Sequence, residues 1–139
     1  MNDAVPLPHA AQGVHLIADL HEVRSSALSD ATALEALLRE AAAAAGAQVV
    51  FGHFHRFGAE GGITGVLLLA ESHISIHTWP EHAYAAVDIF MCGQAVPERA
   101  LDLIERSLGA GRVVRRDILR GSPCCLSPAS AAAIAADLA

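Results

Sequence analysis

Three strand-length runs follow one another at residues 63–70, 73–79 and 83–91, with only short breaks between them. Parallel neighbours need a crossover of a dozen or more residues, so runs this close together must pair as antiparallel strands. The middle run sits in the string Glu71-Ser72-His73-Ile74-Ser75-Ile76-His77-Thr78-Trp79-Pro80-Glu81. Side chains alternate between faces along a strand. His73, Ser75, His77 and Trp79 therefore share one face, and Ile74 and Ile76 the other. In the next run Ala85, Val87, Ile89 and Met91 lie opposite Tyr84, Asp88, Phe90 and Cys92. One face of the sheet is apolar. The other mixes His, Asp, Cys and Ser with aromatic rings. Such a face commonly meets water, but rings set among histidines point to a ligand pocket or an interface.

The remaining periodicities supply the second layer. Leu34, Leu37, Leu38, Ala41 and Ala45 recur at helical spacing over 30–45, with Ser29 or Asp30 to cap the start and Gly46 the end. Pro97 opens a second helix with Leu101, Ile104 and Leu108 on one stripe and Gly109 or Gly111 at its end. Residues 14–20, 47–57 and 113–119 read as further strands, and 58–62 as a loop. Residues 1–12 read as a lead-in, and Ser127-Pro128 opens an alanine-rich terminal helix. Helices on one face of a largely antiparallel sheet make an α+β two-layer sandwich, in a single domain over 1–139.

The chain has 139 residues, enough to bury a core, but alanine supplies much of its apolar half, so association with a second copy is expected. The formal charge of −6 comes without a basic stripe, which argues against nucleic acid. The four arginines of 112–120 alternate with apolar residues and read as the solvent face of a strand. No apolar run approaches the roughly 20 residues needed to span a bilayer, and the start lacks a secretion signal. A cytoplasmic protein is expected. Three cysteines, including adjacent Cys124 and Cys125, make neither a disulfide framework nor a paired zinc motif.

Several chemistries compete for the polar face. His53 with His55, or His73 with His77, could offer metal ligands, but i and i+4 on a strand stand about 13 Å apart, so no metal is expected. A serine hydrolase lacks its Gly-x-Ser-x-Gly elbow. Ser72 and His77 also have opposite parity, so His77 reaches Ser72 only if the chain bends at 72–73. A lone cysteine such as Cys92 is more often a small buried apolar residue than a reactive one.

At these residues the chain resembles the bacterial S-adenosylmethionine decarboxylases, the small pyruvoyl-dependent class. The likeness lies in the Glu71 to Glu81 string, in Tyr84-Ala85-Ala86-Val87-Asp88-Ile89-Phe90-Met91-Cys92-Gly93, in Gly13-Val14-His15-Leu16 and in Phe54-His55-Arg56-Phe57. The resemblance implies a proenzyme that cuts itself between Glu71 and Ser72. Ser72 then becomes a pyruvoyl group that forms a Schiff base with the substrate. Residues 1–71 are the β chain and 72–139 the α chain. His77 and Thr64 assist processing, Cys92 is the proton donor, and Phe57, Trp79 and Glu81 line the substrate site. A homodimer with sites near its interface follows from the same likeness.

The chemistry is coherent with these residue types. Decarboxylation of an α-amino acid leaves a carbanion that needs an electron sink, and no lysine suggests itself for pyridoxal phosphate. A pyruvoyl carbonyl made from Ser72 is such a sink. Imidazole exchanges protons near neutral pH, and a thiol is mostly protonated there and can donate. Phe57 and Trp79 suit a sulfonium and an adenine; Glu81 suits ribose hydroxyls. Arginine or ornithine as substrate, and an unprocessed binding protein on the same fold, are the alternatives.

Overall fold

The structure, a computed structural model, describes residues 12–121. The lead-in before Gln12, the cysteines at 124 and 125 and the terminal helix expected after Ser127 lie outside the described residues. The elements are β1 (Gln12–His21), a 3-10 turn (Ser26–Ser29), α1 (Ala31–Ala44), β2 (Val49–Arg56), β3 (Ile63–Leu69), β4 (Ser72–Trp79), a second 3-10 turn (Pro80–His82), β5 (Tyr84–Cys92), α2 (Pro97–Leu108) and β6 (Arg112–Gly121).

The strands form one six-stranded sheet in the order β2-β3-β4-β5-β1-β6, and every neighbouring pair is antiparallel. The hairpins β2–β3, β3–β4 and β4–β5 are local, as the short breaks require. Two helical crossovers do the rest: α1 carries the chain from β1 to the far edge, and α2 carries it over β1 to β6.

Local signals set the helix ends. The Asp30 carboxylate accepts from the Ala33 amide at 3.0 Å, satisfying one orphan donor of α1. Gly109 ends α2 at φ 63°, a left-handed residue that glycine adopts without a Cβ penalty. The apolar faces then close on each other. Leu34, Leu38 and Ala41 of α1 and Leu101, Ile104 and Leu108 of α2 are buried against Leu16, Leu67, Ile74, Ile76, Val87 and Ile89 of the sheet.

Arg115 departs from the expected solvent face. Alternation along β6 turns it toward the helices, where its guanidinium donates to Glu105 at 2.8 Å and to Asp102. β6 is the edge strand beside α2, so a charged side chain there can bridge to the helix while remaining partly wet. Among the described residues no helix covers the opposite sheet face. Its exposed apolar residues include Phe51, Phe57, Leu68 and Trp79.

Candidate active site

Ser72 opens β4 directly after a two-residue turn. Leu69 pairs with Ser72, so Ala70 and Glu71 alone reverse the chain. Glu71 sits at φ 62°, a conformation such turns usually give to glycine or asparagine. For a residue with a Cβ this costs about 1–2 kcal/mol. The strained residue is the one whose carbonyl precedes Ser72.

Cys92 closes β5 beside this turn. Its thiol donates to the Glu71 carbonyl oxygen at 3.1 Å and lies 3.9 Å from the Ser72 hydroxyl and 3.9 Å from Glu71 Oε2. Across the ladder Cys92 faces Gly13, where a Cβ would come within 2.7 Å of the Phe90 ring and 2.9 Å of the Met91 carbonyl. Glycine at 13 thus leaves room for the Phe90 ring and the Met91 carbonyl beside the cysteine. A cavity of about 180 Å³ opens here, bordered by Gly13, Val14, Cys92, Ala95 and Leu119.

The other site residues gather at the opposite end of β4. Thr64 and His77 are cross-strand partners, and Thr64 Oγ1 lies 3.1 Å from His77 Nδ1. They border a cavity of about 250 Å³ with Phe57, Trp79 and Glu81. The Phe57 amide donates to the Gly62 carbonyl at 2.9 Å, closing the loop that presents its ring. Beneath the cavity Thr78 is 4 % exposed; its hydroxyl accepts from the Ile63 amide at 2.8 Å and donates to the Leu28 carbonyl at 2.7 Å.

The expected site residues therefore fall into two groups, Glu71, Ser72 and Cys92 in one and Phe57, Thr64, His77, Trp79 and Glu81 in the other. The bend expected at 72–73 is instead the turn at Ala70 and Glu71, and β4 runs on as an unbroken strand. Five residues of strand set Ser72 and His77 of one chain about 16 Å apart. Within a single copy they do not meet.

Sequence reasoning gave no role to Asp19, His15 or Thr78. The Tyr84 phenol donates to the Asp19 carboxylate, a bond that, with burial and the charges of Asp19 and Asp88, pushes the phenol up to about 12. His15 packs edge-on to His73 and Phe90, and its buried Nε2 has no hydrogen-bond partner among the described residues. Burial holds its pKa below the usual histidine value; Asp88 opposes that shift, and His73 and Arg120 add to it. Thr78 was hidden because its parity matches the apolar face. Asp19 and His15 could have been noticed, since parity along β1 sets both opposite the buried Leu16, Ala18 and Leu20. Among the described residues no group of three or more His, Cys, Asp or Glu is placed to hold a metal ion, and no helix is long and apolar enough to cross a membrane.

Comparison with known proteins places the chain in one class. A family profile described as S-adenosylmethionine decarboxylase matches residues 14–121. The chain belongs to the S-adenosylmethionine decarboxylase family. It is similar to the S-adenosylmethionine decarboxylase proenzyme of Prochlorococcus marinus (strain MIT 9313), with 43 % identity over 118 residues, 84 % of this chain and 94 % of that one. The proenzyme of the same name from Methanococcus maripaludis is 44 % identical over 110 residues, 78 % of this chain and 89 % of that one. Among solved structures, the adenosylmethionine decarboxylase of Aquifex aeolicus superimposes with a TM-score of 0.73 at 36 % identity, covering 81 % of this chain and 93 % of that chain.

Proposed function

We propose that this chain is a self-processing, pyruvoyl-dependent decarboxylase that converts S-adenosylmethionine to its decarboxylated aminopropyl-donating form, plus CO₂, for spermidine synthesis. The observation that carries the reading is the contact set at the turn. The Cys92 thiol donates to the carbonyl of the left-handed residue Glu71 and stands beside the Ser72 hydroxyl.

Processing uses the chain's own atoms. The Ser72 oxygen attacks the Glu71 carbonyl carbon, the amide nitrogen departs with a proton, and an ester replaces the peptide bond. Relief of the strain at Glu71 favours this uphill shift, and the thiol stabilises the developing oxyanion. A base removes the Ser72 α-proton, and elimination frees the Glu71 carboxylate. Water then replaces ammonia at residue 72. The products are a β chain of 1–71 and an α chain of 72–139. The pyruvoyl group so formed supplies the electron sink for the carbanion that CO₂ leaves behind. Its fit to the site rests on Ser72 being first in its strand, with a half-buried hydroxyl beside the Cys92 thiol. Cys92 is placed to return a proton to the substrate carbon. Phe57 and Trp79 offer aromatic faces to the sulfonium and adenine, and Glu81 offers acceptors to the ribose.

His77, with Thr64 bonded to its Nδ1, is the processing base, but it lies at the wrong end of its own β4. A homodimer resolves this. With the helix-free sheet faces together and a two-fold axis running across β4, the strand ends exchange, so the Thr64–His77 end of one copy's β4 meets the Ser72 end of the other's. The exposed Phe51, Leu68 and Trp79 lie on that face. Catalysis by a free thiol fits the reducing cytoplasm.

Intact-mass measurement tests the reading. Freshly made protein should mature into chains of 1–71 and 72–139, the latter trapped by a hydrazine reagent, while Ser72→Ala stays whole. Matured protein should release labelled CO₂ from S-adenosylmethionine and none from arginine or ornithine. A single uncut, carbonyl-free species after prolonged incubation would overturn the proposal.

A further inference from the structure

Trp79 ends β4 on the helix-free face and is 39 % exposed. One side of its indole borders the cavity shared with Phe57 and Glu81. The ring of Tyr84, its direct cross-strand partner, stacks on it at 5.1 Å between centroids and 23° between planes. Tyr84 in turn stacks on His21 of β1 at 5.1 Å and 20°. Three rings thus form a ladder across β4, β5 and β1. The phenol at the centre of the ladder is also tied at its edge, by the hydrogen bond to Asp19 two residues before His21 on the same strand face.

We propose that Tyr84, held by Asp19 and His21, is a positioning residue that locks the Trp79 indole as a preformed wall of the nucleoside pocket. The inference rests on the substrate reading above. Stacking fixes the indole plane. The Asp19 bond stops the phenol from swinging away, and that bond also keeps the proton on the phenol to about pH 12. A filler role for these rings fits poorly, because the buried core lies on the other face of the sheet. An indole that must be immobilised at each binding event charges that ordering entropy to the ligand, whereas a prefixed one does not.

Trp79 is the chain's one tryptophan, so its emission reports on this stack alone. In matured protein, Tyr84→Leu should shift and broaden that emission and weaken its quenching by methylthioadenosine. KM for S-adenosylmethionine should rise about 10-fold with kcat within about 2-fold. Tyr84→Phe keeps the stack and loses the Asp19 bond; it should restore most of the emission and recover part of the KM. Unchanged emission and KM in Tyr84→Leu would overturn the proposal. So would a fall in kcat and in self-cutting as large as the rise in KM, which would make Tyr84 a residue of the fold. Should the wild type release no CO₂ from S-adenosylmethionine, the substrate reading fails, and the emission of the two variants still decides whether Tyr84 holds Trp79.

Discussion

Glu71 carries the backbone strain at the bond the chain is proposed to cut. Its left-handed conformation is the cost of turning β3 into β4 with neither glycine nor asparagine. In a Ser72→Ala background, where no cut intervenes, Glu71→Gly should raise urea stability by about 1 kcal/mol; a loss of stability would show that the turn is unstrained. His15 makes a separate prediction. Burial lowers its pKa in the fold, against the pull of Asp88 and together with His73 and Arg120. The unfolded chain therefore takes up the proton more readily, so stability is complete above the unfolded value near 6.5 and is lost as pH falls below it. His15→Phe should make that acid-side slope shallower, and parallel slopes in urea titrations would remove His15 as the cause. Residue type drew attention to the Ser and His of the 71–81 string, and the family resemblance assigned roles to Ser72, His77 and Cys92. The strain at Glu71 was not legible, because Ala70-Glu71 contains no residue that announces a turn.

The hairpins and helices were largely readable, because their signals are local. Alternation marks β4 and β5, and Asp30, Pro97 and Gly109 mark helix ends. The link between elements was not. Thr78 ties the Ser26–Ser29 turn to the start of β3 through two buried hydrogen bonds, to Leu28 and Ile63. Thr78→Val keeps the volume and strands both backbone partners, so it should cost about 2–4 kcal/mol in urea unfolding; a loss near zero would show that water replaces the hydroxyl. Arg115 gives the same lesson from β6. Its parity was available, but the carboxylates of Asp102 and Glu105 that receive it belong to a helix placed by a long crossover.

The whole molecule sets the two halves of the proposed site at opposite ends of one strand, and in the proposed mechanism a second copy supplies the missing half. The mixed dimer is the test. Ser72→Ala chains should fail to cut, and His77→Ala chains should cut about 10²-fold or more slowly. Co-expressed, one composite site regains both Ser72 and His77, and only the His77→Ala chain should be cleaved. No cleavage in purified mixed dimers would return the base to the same copy. From the sequence alone came the two faces of each strand, the helix ends, and the string from Glu71 to Glu81 that identifies the family; each depends on neighbours a few residues away. Tertiary structure alone decided that β1 lies between β5 and β6, that Asp19 meets Tyr84, that the Cys92 thiol reaches the Glu71 carbonyl, and that His77 does not reach Ser72 within one copy. Parity follows from the local pleat, but strand neighbours depend on how distant segments bury their apolar faces together, and no short window of sequence contains that.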